Sequence, residues 1–156
     1  MSERSTEELV TIKDLRISIY SEGNSFEVVK GVSLSIHANE IVCLVGESGC
    51  GKSMTALSIM GLLPNNVARV TGGVITYREK DLTQLKAHEM RKLRAEEISM
   101  IFQDPITSLD PVFTVGSLLK EVIMVHRDVS SSEAEKLAIH ALKEAQLPDA
   151  KKRLKS

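Results

Sequence analysis

The first forty residues alternate apolar and polar positions with a period of two. Residues 15–20 show this alternation, and residues 28–36 repeat it after the pair Gly23-Asn24. Alternation of this kind is typical of strands with one buried face, and glycine beside asparagine is typical of a turn. The sequence therefore predicts a small antiparallel sheet at the start of the chain.

Other apolar stretches do not alternate. Residues 41–45, Ile-Val-Cys-Leu-Val, form an unbroken apolar run, which is typical of a parallel strand buried on both faces. Residues 74–77 are predicted as a strand that ends in a charged turn. Residues 98–102 are predicted as a strand that ends abruptly at Gln103-Asp104-Pro105.

Apolar residues at helical spacing predict helices in both halves of the chain. Residues 54–63 and 115–123 show this spacing, and residues 83–96 form a charged segment that we expect to be a solvated helix. Residues 107–111 carry turn chemistry. Ser130 and Glu133 form a potential capping box for another helix that extends to about residue 145. The basic tail 151–156 is predicted to be a solvated connection.

Length, charge and cysteine content limit the function classes. The chain has 156 residues, enough for one ordinary domain, and a formal net charge of −1, so charge gives no general case for nucleic acid or an anionic membrane. Cys43 and Cys50 suggest neither a disulfide nor a metal cluster, which suits a reducing cytosol. The N-terminus does not resemble a secretory signal, and no stretch approaches the ~20 apolar residues that span a bilayer.

One motif carries the candidate chemistry. The phosphate-binding pattern G-x-x-x-x-G-K-[ST] is matched at every specified position by Gly46, Glu47, Ser48, Gly49, Cys50, Gly51, Lys52 and Ser53. A predicted strand precedes the motif and a predicted helix follows it. The glycines allow backbone N–H groups to point inward and form a cradle for phosphate oxygens. Lys52 would then reach the β- and γ-phosphates of a nucleotide, and the Ser53 hydroxyl would hold Mg²⁺.

The motif has two other interpretations. The loop could be a glycine-rich turn whose lysine is merely solvated, but four matched positions between a strand and a helix favour a nucleotide site. The chain could also be a small-molecule kinase or a GTPase. It contains no Asn-Lys-x-Asp motif for reading guanine and no Asp-x-x-Gly switch. The predicted sheet before the loop also counts against this class.

The order of the motifs resembles the N-terminal part of an ATP-binding subunit of an ABC transporter. The β-sheet region, the loop at 46–53, the stretch Met100-Ile101-Phe102-Gln103-Asp104-Pro105 and a helical segment follow one another. The sequence of residues 102–111 is most similar to that of the importer group that handles dipeptides, oligopeptides and, in some members, nickel. That group more often has Asn at the position of Asp110 and Ser at that of Cys50. The resemblance covers nearly the whole chain after about residue 9.

The resemblance implies an α/β fold. It consists of a P-loop NTPase core with an N-terminal antiparallel β-subdomain and the start of a helical subdomain. We expect residues 10–45 to hold the β-subdomain and the P-loop strand, residues 46–104 the core from the P-loop to the Q-loop, and residues 105–156 an incomplete helical subdomain.

The resemblance also implies roles for residues outside the loop. Gln103 corresponds to the Q-loop glutamine, which reaches Mg²⁺ and the water near the γ-phosphate. Its alternative role is a local hydrogen bond at the end of a strand. Tyr20 is the expected aromatic residue that stacks on adenine, with Phe26 as the alternative. Either ring could instead only cover the sheet.

The implied function is coupling of ATP binding and hydrolysis to transmembrane uptake of peptides or related solutes. The implied partners are transmembrane permease subunits, a second ATP-binding subunit and, indirectly, a solute-binding protein, with no nucleic acid. The implied cofactors are ATP and Mg²⁺. The protein would lie at the cytoplasmic face of the membrane and attach peripherally through the permease.

In this family the signature motif, the Walker B strand and the switch histidine follow soon after the equivalent of residues 154–156. We therefore expect these 156 residues alone to hydrolyse ATP negligibly, because phosphoryl transfer depends on several positioned groups. We also expect low stability, since flanking strands of the predicted central sheet are missing. The alternative is a truncated nucleotide-binding fragment without activity.

Overall fold

The computed structural model describes residues 7–103, 110 and 112–156. The chain divides into two compact units, Met1–Met100 and Ile101–Ser156. The first unit contains strands and helices, whereas the described part of the second is helical.

The first unit contains a four-stranded antiparallel sheet. Its strands lie in the spatial order β2-β1-β3-β4 and comprise β1 (Glu8–Ser21), β2 (Asn24–His37), β3 (Ala68–Tyr77) and β4 (Lys80–Asp81). The turn between β1 and β2 consists of Glu22 and Gly23, whose φ angles are 49° and 79°. Turns with two positive φ angles match the right-handed twist of a hairpin. The predicted antiparallel sheet is confirmed, and its first turn lies one residue earlier than expected.

A bulge in β1 keeps the buried side chains of this strand on one face. Ile12, Leu15 and Ile17 are fully buried, yet three positions separate Ile12 from Leu15, and strict alternation would place them on opposite faces. The pairing of β1 with β2 shifts register between these two residues, which is the effect of an extra residue in a strand. Val29 of β2 and Ile75 of β3 complete the fully buried set.

Two helices and one 3-10 turn follow the predicted helical segments of this unit. The helix α1 (Lys52–Ile59) begins two residues before the predicted segment and ends four residues earlier. The segment predicted at 83–96 contains a 3-10 turn (Leu82–Gln84) and then the helix α2 (Ala87–Glu96). Met90 and Leu93 of α2 are buried in the same core as the sheet, so this helix is not merely solvated.

Two segments differ from their predicted state. Residues 41–45 and 98–102 carry no strand pairing, and Ile41, Val45 and Ile101 are 93%, 89% and 92% exposed. A strand requires a hydrogen-bonded neighbour, and among residues 7–103, 110 and 112–156 sheet pairing is confined to β1–β4. The prediction of a buried strand at residues 41–45 and that of a strand at residues 98–102 are therefore wrong for this structure.

The second unit contains α3 (Val115–His126), α4 (Ser131–Glu144) and α5 (Ala150–Arg153). The first two confirm the predicted helices. The capping box also forms, because the Ser130 hydroxyl accepts a hydrogen bond from Glu133 N–H at 3.3 Å and Glu133 Oε2 accepts one from Ser130 N–H at 3.0 Å. Reciprocal bonds of this kind satisfy N–H groups that a helix start leaves without partners.

The end of the chain packs more closely than predicted. Ala150 and Leu154 are buried in a small core with Ala138 and Leu142 of α4. Gly116 N–H at the start of α3 donates to the carbonyl oxygen of Leu154 at 2.9 Å. The lysines of residues 151–156 are exposed, but the prediction that this segment is only a solvated connection is wrong.

Most of the turn predicted at 107–111 lies outside the described residues. At Asp110, which is described, the carboxylate accepts a hydrogen bond from Val112 N–H at 3.0 Å, a local bond typical of aspartate in turns. None of the helices formed by the described residues is long and apolar enough to cross a membrane.

Candidate phosphate-binding site

Gly51 fixes the end of the loop against β2. It is buried, and its φ of 96° lies in the left-handed region. A Cβ atom at this position would lie 2.8 Å from Val29 Cγ2 and 3.0 Å from the carbonyl oxygen of Val28. Glycine meets both requirements because it has no Cβ atom and adopts positive φ without a steric penalty. The sheet therefore holds the point at which the loop enters α1.

The rest of the loop is folded into a turn. Gly49 has a φ of 82°, and Cys50 N–H donates to the carbonyl oxygen of Glu47 at 3.4 Å. Left-handed residues within a turn bring successive backbone N–H groups to one side, which is the arrangement of anion-binding concavities. Residues 46–50 are exposed, so an anion can reach this turn from solvent.

The side chain of Lys52 folds back across the loop that precedes it. Its Nζ donates hydrogen bonds to the carbonyl oxygens of Gly46 at 2.7 Å and Glu47 at 2.6 Å, and lies 3.6 Å from Cys50 Sγ. A Cβ atom on Gly46 would lie 2.7 Å from the same sulfur. The side chains of Lys52 and Cys50 thus lie across the turn, and Nζ must leave these carbonyls before it can contact a phosphate.

The helix α1 has a polar buried side. Thr55 donates from both its backbone N–H, at 2.8 Å, and its hydroxyl, at 3.0 Å, to the carbonyl oxygen of Gly51. The Ser58 hydroxyl donates to the carbonyl oxygen of Thr55 at 2.7 Å, and both side chains are buried. Sequence reasoning looked for apolar residues and missed this pair. Their spacing of three and the ability of Ser and Thr to bond backbone carbonyls were the available signals.

The two candidate aromatic residues lie near the turn of the β1–β2 hairpin. Tyr20 is 43% exposed and Phe26 is 60% exposed. Tyr20 pairs with Ser25 of β2. Ser25 lies three positions before Val28, whose carbonyl oxygen lies close to Gly51 of the loop. At the rise of an antiparallel strand this spacing is ~10 Å. The stacking of Tyr20 on adenine, with Phe26 as the alternative, stays a prediction.

Gln103 and Ser53 are both exposed. Gln103 belongs to the unit Ile101–Ser156 and directly precedes residues 104–109, which lie outside the described part of the chain. Its predicted contacts with Mg²⁺ and water stay predictions. Ser53 is the second residue of α1, the position at which the motif requires a hydroxyl.

The donor set fits a magnesium ion that is bound mainly by a nucleotide. Among the described residues, no group of three or more His, Cys, Asp or Glu side chains could hold a metal ion. Mg²⁺ in nucleotide sites keeps several waters and takes few protein ligands beside the phosphates. A single hydroxyl from Ser53 is consistent with such a site, and Mg²⁺ binding stays a prediction.

A cavity of about 620 Å³ also lies in the first unit. Its lining includes Arg69, Arg91 and Arg94 together with apolar side chains such as Leu82 and Met90. Arg94 Nη1 donates to the carbonyl oxygen of Met60 at 2.8 Å, directly after the end of α1. Arg69 and Arg91 are exposed residues.

A glycine-rich loop that begins a helix, set beside an antiparallel sheet, defines an α/β protein of the ABC ATPase fold. The family profile described as "ABC transporter" matches residues 29–156. The chain belongs to the ABC transporter family.

Relatives of known name agree with the resemblance found in the sequence. The chain is 44% identical over 149 residues to "Dipeptide transport ATP-binding protein DppD" of Bacillus subtilis, covering 96% of this chain and 44% of the relative. It is 41% identical over 155 residues to "Oligopeptide transport ATP-binding protein OppD" of Escherichia coli, covering 99% and 45%. The resemblance to this importer group is confirmed. The chain spans less than half the length of these relatives.

A solved structure supports the fold. The ATP-binding cassette MJ0796, described as dimeric, in a post-hydrolysis state and bound to ADP and Pi, matches with a TM-score of 0.76 at 25% identity. The match covers 90% of this chain and 59% of that one. The predicted fold class is confirmed by this likeness.

Proposed function

We propose that this chain forms the nucleotide-binding part of the ATP-binding subunit of an ABC importer. In the complete protein, ATP binding and hydrolysis would drive the uptake of peptides or related solutes. The observation that carries the proposal is the loop at 46–53, which is closed onto β2 at Gly51 and crossed by the ammonium group of Lys52. The names of the relatives, which specify dipeptide and oligopeptide transport, support the class of solute.

The role of each loop residue follows from its chemistry. Backbone N–H groups of residues 46–51 bind phosphate oxygens. Lys52 exchanges the neutral carbonyls of Gly46 and Glu47 for the β- and γ-phosphates, because hydrogen bonds between two charged groups are stronger than those to neutral acceptors. The Ser53 hydroxyl takes one coordination position of Mg²⁺. The metal ion, when bound, neutralises charge that develops on the phosphates.

Two residues outside the loop complete the proposed site. Tyr20 stacks on adenine, and its exposure supports this role. Phe26 is more exposed and is the alternative ring. Gln103 orients water and contacts Mg²⁺.

The proposed assembly places this subunit at the cytoplasmic face of a membrane, attached through transmembrane permease subunits. A second ATP-binding subunit pairs with it, which is consistent with the dimer described for MJ0796. A solute-binding protein delivers the cargo to the permease. The alternative is a nucleotide-binding fragment without activity. The family match counts against another P-loop kinase or GTPase.

Calorimetric titration of the chain with Mg²⁺ and ATP tests the proposal. Lys52→Ala is expected to weaken ATP binding about 10- to 100-fold, since hydrogen bonds to charged groups contribute about 1.5–3 kcal/mol. Lys92→Ala is the matched control, because Lys92 is an exposed lysine of α2 outside the motif. It removes the same charge and should leave ATP affinity unchanged.

An unmodified chain that binds no ATP, or equal affinities of the Lys52→Ala variant and the unmodified chain, would contradict the proposal. Negligible hydrolysis by these 156 residues alone stays a prediction. An assay of phosphate release at saturating ATP checks it, and sustained turnover by the purified chain would show that it is wrong.

A further inference from the structure

Arg69 lies on the ring of Tyr20. The central carbon of its guanidinium group is 5.7 Å from the ring centroid, within the ~6 Å range of cation–π attraction. The two residues belong to neighbouring strands, since Ser18 of β1 pairs with Arg69 of β3. Tyr20 remains 43% exposed beside this contact, so part of the ring is still available to a ligand.

The backbone fixes this contact from the side of β3. Tyr20 N–H donates to the carbonyl oxygen of Val67 at 2.7 Å. Val67 N–H and Ala68 N–H both donate to the carbonyl oxygen of Pro64, at 2.9 Å and 2.8 Å. These bonds form a turn that leads directly into Arg69 and is attached to Tyr20. The backbone from which the Arg69 side chain extends is therefore fixed relative to the backbone of Tyr20.

We propose that Arg69 is a positioning residue for the nucleotide base. It holds the Tyr20 ring in the orientation in which the exposed part of the ring stacks on adenine. The inference rests on the proposed function, in which Tyr20 receives the base. A ring that is already held loses less conformational entropy when the base binds, so Arg69 strengthens binding without contacting the nucleotide.

A competing explanation is a general charge effect, in which any arginine of this region attracts the polyphosphate. The chain offers a matched control for it. Arg91 lines the same cavity as Arg69, and its removal lowers the charge of this region equally. Since Tyr20 is contacted by Arg69, only substitution of Arg69 should change the part of the affinity that depends on the base.

The experiment compares the binding of ATP with the binding of inorganic tripolyphosphate, which has no base. Calorimetry is performed in the presence of Mg²⁺ on the unmodified chain and on Arg69→Gln, Arg69→Lys, Arg91→Gln, Tyr20→Leu and the double variant Arg69→Gln/Tyr20→Leu. Arg69→Gln is expected to weaken ATP binding about two- to fivefold, the effect of one exposed cation–π contact, and to leave tripolyphosphate binding unchanged.

The remaining variants separate positioning from other effects. Arg69→Lys keeps a cation and should retain more ATP affinity than Arg69→Gln. In the Tyr20→Leu background, Arg69→Gln should cause no further loss, because the ring that it positions is gone. Arg91→Gln should change the binding of both ligands by the same factor. Circular dichroism of each variant checks that the fold is retained. Arg69→Met, which also removes the cation, replaces Arg69→Gln if that variant unfolds.

Three results would overturn the inference: an unchanged ATP affinity in Arg69→Gln, an equal loss for ATP and tripolyphosphate, or additive losses in the double variant. Failure of the proposed function has a different signature. If the unmodified chain does not bind ATP, the nucleotide site itself is wrong. If ATP binds and Tyr20→Leu weakens it while Arg69→Gln does not, only the positioning role is wrong.

Discussion

Val29 of β2 lies directly beneath Gly51 of the loop, with 2.8 Å between Val29 Cγ2 and the position that a Cβ atom on Gly51 would occupy. The contact joins the best-buried part of the sheet to the start of α1. It also explains why the third glycine of the motif has no space for a side chain. The loop geometry thus depends on a strand that lies about twenty residues earlier in the sequence.

Gly51→Ala and Gly49→Ala form a matched pair that tests this contact. Both residues have positive φ, which costs a non-glycine residue about 1–2 kcal/mol. Only Gly51 also meets neighbouring atoms, since a Cβ on Gly49 would have none within 4 Å. We expect Gly49→Ala to lower the free energy of unfolding by about 1–2 kcal/mol and Gly51→Ala by about 2–5 kcal/mol, because overpacking adds about 1–3 kcal/mol. Urea denaturation measures the free energy of unfolding of both variants, and equal losses of stability would contradict the packing argument.

Arg94 stabilises the C-terminal end of α1. Its Nη1 donates to the carbonyl oxygens of Met60 at 2.8 Å and Gly61 at 3.5 Å, and a cation is favourable at this end of a helix. Arg94→Ala should lower the free energy of unfolding by about 1–2 kcal/mol, since the lost bond is charged but partly exposed. Arg91→Ala is the control for lost charge. A urea midpoint that shifts equally in both variants would show that these hydrogen bonds contribute nothing.

Gly116 allows α5 to approach the start of α3. A Cβ atom at this position would lie 2.6 Å from the carbonyl oxygen of Leu154, which accepts the hydrogen bond from Gly116 N–H. Gly116→Ala should separate the two helices, although alanine favours a helix more than glycine does. Amide hydrogen exchange at Val115, whose N–H donates to Ser156, should become faster. Glu121→Ala, at an exposed position of α3, should leave the exchange rate unchanged.

The capping box of α4 predicts a pH dependence. Hydrogen bonds from the Ser130 hydroxyl and backbone N–H hold the pKa of Glu133 below its ordinary value of 4.5. A lowered pKa in the folded state means that the stabilisation is fully present above pH 4.5 and is lost as the pH falls through the folded-state pKa. The carboxyl carbon shift of Glu133, followed by NMR, should show this low pKa.

Ser130→Ala should move the pKa of Glu133 upward, towards 4.5, because it removes the side-chain hydrogen bond that contributes most. Ser132→Ala is the control, since Ser132 lies within α4 and does not cap it. If Ser130→Ala leaves the titration of Glu133 unchanged, the capping bond does not lower this pKa.

The sequence predicts the candidate site because its chemistry is local. The spacing of Gly46, Gly51, Lys52 and Ser53 predicts a phosphate-binding loop without any tertiary information. The capping box at Ser130 identifies the start of α4 in the same way. Such patterns depend on residues a few positions apart, whose relative placement the backbone alone restricts. The hairpin of β1 and β2 was equally predictable, since alternation and a turn signal are also local.

The tertiary structure decided what distant residues do to one another. Residues 41–45 have the composition of a buried strand, yet they are exposed without strand pairing, because a strand needs a hydrogen-bonded neighbour and composition cannot provide one. The packing of Gly51 against Val29 and the contact of Arg69 with Tyr20 join segments that lie more than twenty residues apart in the sequence. Sequence alone thus determined which residues are the candidates for phosphate binding, and the packing of the sheet determined how the loop and the aromatic ring are held.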